Sequence, residues 1–400
     1  MAQELTYALI TPYSLSKSRT GSIIGRLLTM ADLDLVGARM LSPSDEFVDR
    51  YIQTIEEMEM QPDLKQAFVQ YVNENFRPAT HLPGSNRTLL LLFQGEDAME
   101  TLKHDAVGSA VADPTGDTVR GAYGDFIRGA NGEIKYFEPA VLTGTDHETN
   151  IKQLELIARY APTDGGVLDK IVKYAPGQEI QTTLVILKPE TFGRKSTRPG
   201  NIIDMFSRTG LRIIAAKVLR MSVAQGTEFY GPLRRVFEEK LKDQVADRLR
   251  RALKPHFVFP IPDEINDCMA DMLKSVNAEY EFGRIVEYMT GVSTSEAKTE
   301  AERGLPGREK CLALVYQGPD AVNKIREILG ATDPSKAAPA TVRSAFGQDL
   351  MKNAAHASDS SENAIRERRI VGLLDQDDCA VTRVINEYLA QVRSGAVPGK

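Results

Sequence analysis

The chain has 400 residues, and its 49 basic and 55 acidic side chains give a formal net charge of −6. This length suffices for two or three domains with separate hydrophobic cores, and the near-balanced charge excludes a general nucleic-acid-binding surface. The three cysteines form no CxxC pair, the N-terminus has no secretory signal, and no apolar run could span a bilayer, so we expect a cytoplasmic protein that binds no membrane.

The predicted elements begin with a strand over residues 5–11, a helix over residues 22–30 and a strand over residues 33–41. The same patterns then return in the second half of the chain. TYALITP (6–12) is echoed by TLVILKP (183–189), LLFQGEDA (91–98) by LVYQGPDA (314–321), and TVRGAYG (118–124) by TVRSAFG (341–347). A repeat that covers nearly the whole length indicates two copies of one domain.

Each copy has the order βαββαβ, which predicts an α+β fold of two ferredoxin-like antiparallel-sheet sandwiches in tandem. We place the first copy at residues 1–160, a polar linker at 161–180 and the second copy at 181–400. The second copy carries a helical insertion at about 231–310, with one helix predicted over 232–253 and another over 263–289.

The residues that suggest chemistry are concentrated between positions 341 and 367. Arg343, Asn353 and His356 are followed by the sequence Asp-Ser-Ser-Glu at 359–362, which has the form of a capping box and predicts a helix from about Asp359. His356 would lie in a turn before that helix, near the positive end of its dipole, and Glu367 on the same helix could reach back to the imidazole. An imidazole in this setting suits contact with phosphate.

This stretch resembles the active-site segment of nucleoside diphosphate kinases, in which an NxxH motif precedes a Ser-Asp-Ser helix start. The sequence has NAAHASDS at 353–360. Three more segments resemble the family in the same order along the chain, namely VILKP at 185–189, IREILGATDP at 325–334 and TVR at 341–343. The resemblance implies the ferredoxin-like fold and a kinase that passes a phosphoryl group from a nucleoside triphosphate such as ATP to a nucleoside diphosphate.

The two copies differ at the positions that the resemblance makes functional. Of these, only the arginine is retained, as Arg120 in the first copy and Arg343 in the second. The other counterparts are Thr11 for Lys188, Pro139 for Asn353 and Leu142 for His356. Since leucine has no nucleophilic atom and threonine no charge, we expect the first copy to be catalytically silent and structural.

The resemblance also implies a role for each site residue of the second copy. His356 would accept the phosphoryl group, Glu367 would orient it, and Tyr230 would pack beside the ring. Asn353 would bind a sugar hydroxyl or phosphate, and Phe282 would stack on the base. The phosphates would be held by Lys188, Arg326, Thr332 and Arg343. Mg²⁺ would be bound through the nucleotide phosphates, with no protein metal site.

The sequence departs from the family at Ser344 and Ala345, where Gly and Asp usually follow the arginine, and at Ala357, where glycine usually follows the histidine. Two other functions stay open. One is a nucleotide-binding regulatory or scaffolding pseudoenzyme whose insertion occludes the pocket, and the other is a protein-histidine phosphotransfer partner. For assembly, we expect the two copies to pair within the chain, and homo-oligomers are compatible with the sequence.

Overall fold

The computed structural model describes residues 3–79, 84–111, 116–374 and 379–395, without the side chains of residues 240 and 241. The chain forms two compact units. The tandem unit comprises Met1–Val218 and Leu312–Lys400, and the insertion unit comprises Leu219–Cys311. The copies predicted at 1–160 and 181–400 thus lie together in the tandem unit, and the residues predicted as an insertion at about 231–310 lie in the insertion unit.

The first copy folds as one four-stranded sheet with its helices and a separate hairpin. Its elements are β1 (Glu4–Ile10), α1 (Pro12–Ser16), α2 (Thr20–Met30), β2 (Asp34–Leu41), α3 (Asp45–Glu56), α4 (Pro62–Asn75), β3 (Thr88–Gly95), α5 (Ala98–Thr101), α6 (Val119–Tyr123), β4 (Asp125–Arg128), β5 (Ile134–Glu138), β6 (Val141–Thr143) and α7 (His147–Asp164). The sheet order is β2-β3-β1-β6, with antiparallel neighbours throughout, and β4 pairs with β5.

The second copy repeats this plan around the insertion. Its elements are β7 (Ile180–Leu187), α8 (Arg198–Ser207), β8 (Arg212–Leu219), the insertion helices α9 (Val223–Tyr230), α10 (Leu233–Leu253), α11 (Asp263–Thr290) and α12 (Glu300–Gly304), then β9 (Cys311–Pro319), α13 (Ala321–Leu329), α14 (Val342–Phe346), β10 (Ala355–Ala357), α15 (Ser361–Ile370) and α16 (Ala380–Arg393). The sheet order β10-β7-β9-β8 matches that of the first copy, and both are the ferredoxin-like order.

The C-terminal segments of the two copies are exchanged. Helix α16 packs on β1, β2 and α7 of the first copy, where Ile385 and Leu389 are buried in the core with Leu5. In return, the segment after α7 runs along the second copy, where the Leu168 N–H donates to the Ile214 carbonyl at 2.9 Å. At the start of the segment predicted as a linker at 161–180, α7 continues through Pro162 to Asp164, and Leu168 beyond it is buried.

Equivalent helices of the two copies, α2 and α8, contact each other closely. A Cβ on Gly21 or Gly200 would collide with the carbonyl oxygen of the other glycine, so only glycine permits this approach. Asp204 on α8 accepts a hydrogen bond at 3.0 Å from the backbone N–H of Ser22 in the first turn of α2. Burial raises the pKa of Asp204 above its usual range. The copies thus contact each other within the chain through corresponding surfaces.

The insertion unit is built on the pair α10 and α11, which confirms the two helices predicted in the insertion. Salt bridges run along the pair, from Lys242 to Asp271 and from Arg250 to Asp263, and its small apolar cluster contains Ala270. Three prolines in residues 255–262 separate the two helices. Among the residues that the structure describes, no helix combines the length and the apolar composition that a membrane span requires.

Candidate active site

The strand register determines where His356 lies. In β10, His356 stands opposite Ile186 of β7 in an antiparallel pair. The histidine therefore belongs to a strand, and the prediction that it lies in a turn is wrong. Helix α15 has Ser360 rather than Asp359 as its N-cap, because the Ser360 side chain accepts from the Asn363 N–H at 3.0 Å. The helix therefore starts close to where the sequence predicted, with a different capping residue.

A buried carboxylate orients the imidazole of His356. Its Nε2 lies 2.8 Å from Oε2 of Glu367, and the hydroxyl of Ser358 donates to the same oxygen at 2.7 Å. Since the carboxylate accepts the Nε2 proton, the neutral ring has its lone pair on Nδ1. The imidazole side chain is 21% exposed, against 6% for Glu367, so its outer part is accessible to a ligand.

Ser358 is a residue that the sequence analysis missed. It is completely buried, and its hydroxyl is the second donor to the Glu367 carboxylate. The signal that could have identified it is its position two residues after His356, just beyond the end of β10, because side chains at i and i+2 of extended backbone lie on one face. Two donors on one carboxylate oxygen hold Glu367 in a single orientation, and this in turn aligns the imidazole.

Lys188 follows directly after β7, and a polar network holds its ammonium group. Nζ donates to Oδ1 of Asn353 at 2.7 Å and to the Met351 carbonyl at 2.8 Å. The Nδ2 of Asn353 donates in turn to the carbonyls of Thr332 and Leu350, both at 3.0 Å. Asn353 is only 1% exposed, so in this structure its amide positions Lys188 and the Thr332 loop rather than facing a sugar.

Arg343 connects the same loop to the strand that carries His356. Its Nη1 donates to the Gly330 carbonyl at 3.1 Å and approaches the Thr332 hydroxyl at 3.4 Å, while Nη2 donates to the Ala355 carbonyl at 3.2 Å.

Arg326 lies on α13, is exposed and makes no side-chain hydrogen bond or ion pair within the described part of the chain. The structure thus links Lys188, Asn353, Thr332, Arg343 and the backbone beside His356 through direct contacts.

The backbone before His356 is in a strained conformation that a carboxylate supports. Ala354 has φ +73°, a left-handed value that is unusual for a residue with a Cβ. Its N–H donates to Oε1 of Glu190 at 2.8 Å, and its carbonyl accepts from the Lys188 N–H at 3.0 Å. Glu190 was not among the predicted site residues. Glu190 holds the peptide unit directly before β10, and it thereby helps to orient the His356 side chain.

Two predicted site residues, Phe282 and Tyr230, lie in the insertion unit. Phe282 on α11 is completely buried, and the guanidinium carbon of Arg234 lies 4.0 Å from its ring centre. This corrects the assignment of Phe282 as the base-stacking residue, because the ring has no exposed face for a base. Tyr230 ends α9, is 7% exposed and packs against Phe229 within the same unit, with ring centres 5.0 Å apart. Its position beside the imidazole stays a prediction.

The first copy has the same backbone framework without the reactive groups. Leu142 stands opposite Leu9 in β1, as His356 stands opposite Ile186 in β7, so the two positions correspond. Arg120 repeats the contacts of Arg343, because Nη1 donates to the Gly108 carbonyl and Nη2 to the Val141 carbonyl, both at 3.1 Å. Desolvation by burial lowers the pKa of Arg120 to about 10. The arginine position is therefore part of the fold as well as of the candidate site.

In the first copy, the Glu138 carboxylate contacts Thr11, the counterpart of Lys188. Oε1 of Glu138 accepts from the Thr11 hydroxyl and from the Ala140 N–H, both at 3.0 Å, and Oε2 accepts from the Tyr71 hydroxyl at 2.6 Å. Ala140 has φ +58° and corresponds to Ala354, so both copies support this peptide with a carboxylate, from different places in the sequence. Burial raises the pKa of Glu138.

The charged side chains of the candidate site bear on how a divalent cation could bind there. Within the described ranges, no three His, Cys, Asp or Glu side chains come close enough together to hold a metal ion. The carboxylates of Glu190 and Glu367 already accept hydrogen bonds from the protein, while Lys188 and Arg343 contribute positive charge. These residues fit a cation that arrives on the phosphates of a nucleotide.

Comparisons with known proteins agree on one family. The family model for nucleoside diphosphate kinase matches residues 307–372. The nucleoside diphosphate kinase of Bdellovibrio bacteriovorus is 32% identical over 188 residues, which are 47% of this chain and 89% of that protein. "Nucleoside diphosphate kinase 2" of Protochlamydia amoebophila is 29% identical over 204 residues, 51% of this chain and 99% of the relative.

Among solved structures, the Aquifex aeolicus nucleoside diphosphate kinase is 26% identical and is matched over 95% of its length and 48% of this chain. Its TM-score of 0.31 is too low to support a structural argument, so the assignment depends on the sequence matches. Because the identity to the Bdellovibrio protein extends over most of that protein's length, this chain belongs to the nucleoside diphosphate kinase family.

Proposed function

We propose that this protein is a nucleoside diphosphate kinase that transfers the γ-phosphoryl group of a nucleoside triphosphate to a nucleoside diphosphate through a phosphohistidine at His356. The observation that carries the proposal is the contact of Nε2 with Glu367, which leaves the lone pair of the neutral ring on Nδ1. A histidine oriented in this way, beside a network that contains a lysine and an arginine, has the parts that phosphoryl transfer requires.

In the first half-reaction, the Nδ1 lone pair attacks the γ-phosphorus. The bond between phosphorus and the bridging oxygen breaks, and a nucleoside diphosphate leaves. The imidazole becomes positively charged as the N–P bond forms, and the Glu367 carboxylate at Nε2 stabilises that charge. In the second half-reaction, a terminal oxygen of another nucleoside diphosphate attacks the same phosphorus and Nδ1 leaves. No proton has to be transferred in either step.

The cations stabilise the anionic transition state. Lys188 is held in place by Asn353 as a point charge, and Arg343 offers a planar fork of donors beside the strand of His356. Arg326 and Thr332, both exposed, complete the proposed phosphate contacts. Mg²⁺ bound to the phosphates would neutralise charge on them during transfer. We assign no residue to the base, since Phe282 is buried.

A labelling experiment tests the proposal directly. The full chain, incubated with Mg²⁺ and γ-³²P-labelled ATP, should acquire an acid-labile label of at most one phosphate per chain, because Leu142 leaves the first copy without a nucleophile. Added nucleoside diphosphate should remove the label and yield labelled triphosphate. A correctly folded chain that binds ATP but takes up no label would contradict the proposal and favour the nucleotide-binding pseudoenzyme.

The contact between Glu190 and the Ala354 N–H leads to a prediction about positioning. Replacement of Glu190 by Ala should lower kcat by about 10-fold with little change in KM, because a buried N–H without an acceptor costs about 1–3 kcal/mol and the strained Ala354 would relax. Glu190→Gln keeps an acceptor oxygen and should stay near the wild-type rate. Steady-state kinetics of both variants check this, and an equal loss of kcat in both would contradict a role in holding the peptide.

A further inference from the structure

A cavity of about 250 Å³ lies inside the tandem unit, between the start of the first copy and the second copy's sheet. The first copy contributes the segment from α1 to the first turn of α2 and residues just before β3, and the second copy contributes the end of α8, the start of β8 and part of β9. The polar groups that line it include Ser16, Ser18, Arg87, Ser207, Arg212 and Tyr316. None of the candidate active-site residues lines this cavity.

Tyr316 lines this cavity and has a buried hydroxyl donor. The residue is 1% exposed, and its hydroxyl has no hydrogen-bond partner among the described residues. Burial raises the pKa of this hydroxyl well above its usual value, so it is protonated and can donate. Buried polar groups normally have partners, and an unpartnered donor that lines a cavity points to a ligand with an acceptor atom.

Two arginines give the cavity a positive charge. Arg87 is 7% exposed and donates from Nε and Nη1 to the carbonyls of Gly84 and Ile213, and no carboxylate within the described chain pairs with it. Arg212 is exposed and makes no side-chain hydrogen bond or ion pair in the same ranges. The negative charge of Asp204 also raises the pKa of Tyr316. The Asp204 carboxylate itself accepts hydrogen bonds from the backbone N–H and the hydroxyl of Ser22.

From these groups we infer a second anion-binding site, which takes inorganic phosphate or pyrophosphate at the junction of the two copies. Arg87 and Arg212 supply the charge, and the Tyr316 hydroxyl and the serine hydroxyls donate hydrogen bonds to phosphoryl oxygens. The volume of about 250 Å³ is below the range of roughly 300–1,000 Å³ for pockets that bury a drug-sized ligand, so the site suits a phosphate or diphosphate group rather than a whole nucleotide. The anion would contact both copies at once and strengthen their association.

Calorimetric titration of the full chain with pyrophosphate, and separately with phosphate, tests this inference. Arg212→Gln and Tyr316→Phe should each weaken one binding component by about 10-fold or more, the cost of a lost charge-assisted hydrogen bond. Arg208→Gln is the matched control, because Arg208 is also exposed at the end of α8 but does not line the cavity. It should bind like the wild type.

Thermal unfolding provides a second measurement. Pyrophosphate should raise the Tm of the wild type and of Arg208→Gln more than that of Arg212→Gln or Tyr316→Phe. Tyr316→Phe without anion should be at least as stable as the wild type, since it removes only an unpartnered hydroxyl. Identical isotherms for all four proteins would overturn the site. A dependence on Arg212 seen with ADP alone, and with neither inorganic anion, would overturn the assignment of the ligand.

Discussion

Replacement of His356 by Gln should abolish the phosphorylated intermediate and lower nucleoside diphosphate kinase activity by more than about 1,000-fold, because no other group can take the place of Nδ1. Glutamine is similar in size and can keep a hydrogen bond to Glu367, so the variant should fold. The measurements are acid-labile labelling from γ-³²P-ATP, steady-state transfer rates and thermal unfolding.

His104→Gln is the matched control for this experiment. His104 is an exposed histidine of the first copy, and its Nε2 lies 2.8 Å from Glu100. The substitution should change neither the label nor the rate. An acid-labile label that persists in His356→Gln at the wild-type level would contradict the assignment of the nucleophile, and a label lost equally in both variants would do the same.

Arg343→Ala should lower kcat/KM by about 100-fold or more, since it removes the planar cation that we assign to the transferring phosphate. The loss of two hydrogen bonds to backbone carbonyls should also reduce the free energy of unfolding by about 1–3 kcal/mol. Kinetics and urea unfolding measure the two effects separately.

The chain supplies its own control for the structural part of that effect. Arg120 makes the corresponding pair of backbone contacts in the first copy, so Arg120→Ala should destabilise the protein by a similar amount. Its transfer rate should stay near that of the wild type, because Leu142 stands where the second copy has His356. If Arg120→Ala lowered kcat/KM as much as Arg343→Ala, the arginine effect would be structural, and the phosphate role of Arg343 would be refuted.

The two copies share one backbone arrangement around the arginine and the last strand, but they differ in the side chains placed on it. In both, an arginine fork binds two carbonyls, and an alanine in left-handed conformation precedes the last strand of the sheet. The second copy has a lysine and a histidine on this framework. The first has Thr11 and Leu142, and its Glu138 carboxylate accepts hydrogen bonds from the protein where a phosphate would otherwise be expected. These internal hydrogen bonds lie at the counterpart of the phosphate contacts that we propose for the second copy.

The exchange of C-terminal segments gives the first copy a structural role. Helix α16, which follows the candidate site along the chain, completes the hydrophobic core of the first copy through Val381, Ile385 and Leu389. Loss of the first copy would expose the buried face of α16 and the glycine surface of α8 to water. A copy without a nucleophile can thus remain necessary for the folded state of the copy that has one.

The sequence by itself determined the repeat, the family, the ferredoxin-like fold and the order of the site residues. These features depend on local patterns, since strands repeat every two residues, helices every 3.6, and the NxxH segment is contiguous. For the same reason the two insertion helices could be predicted from their period and from the three prolines between them.

Only the tertiary structure decided that His356 lies in a strand, that Ser358 and Glu190 support the site, and that Phe282 is buried. It also decided that the copies exchange their C-terminal segments and together line a cavity with two arginines. Several of these facts depend on contacts between residues more than 100 positions apart, such as Glu190 with Ala354 and His356 with Ile186. Burial and hydrogen bonding over such distances are properties of the packed chain, and a local pattern of residue types does not contain them.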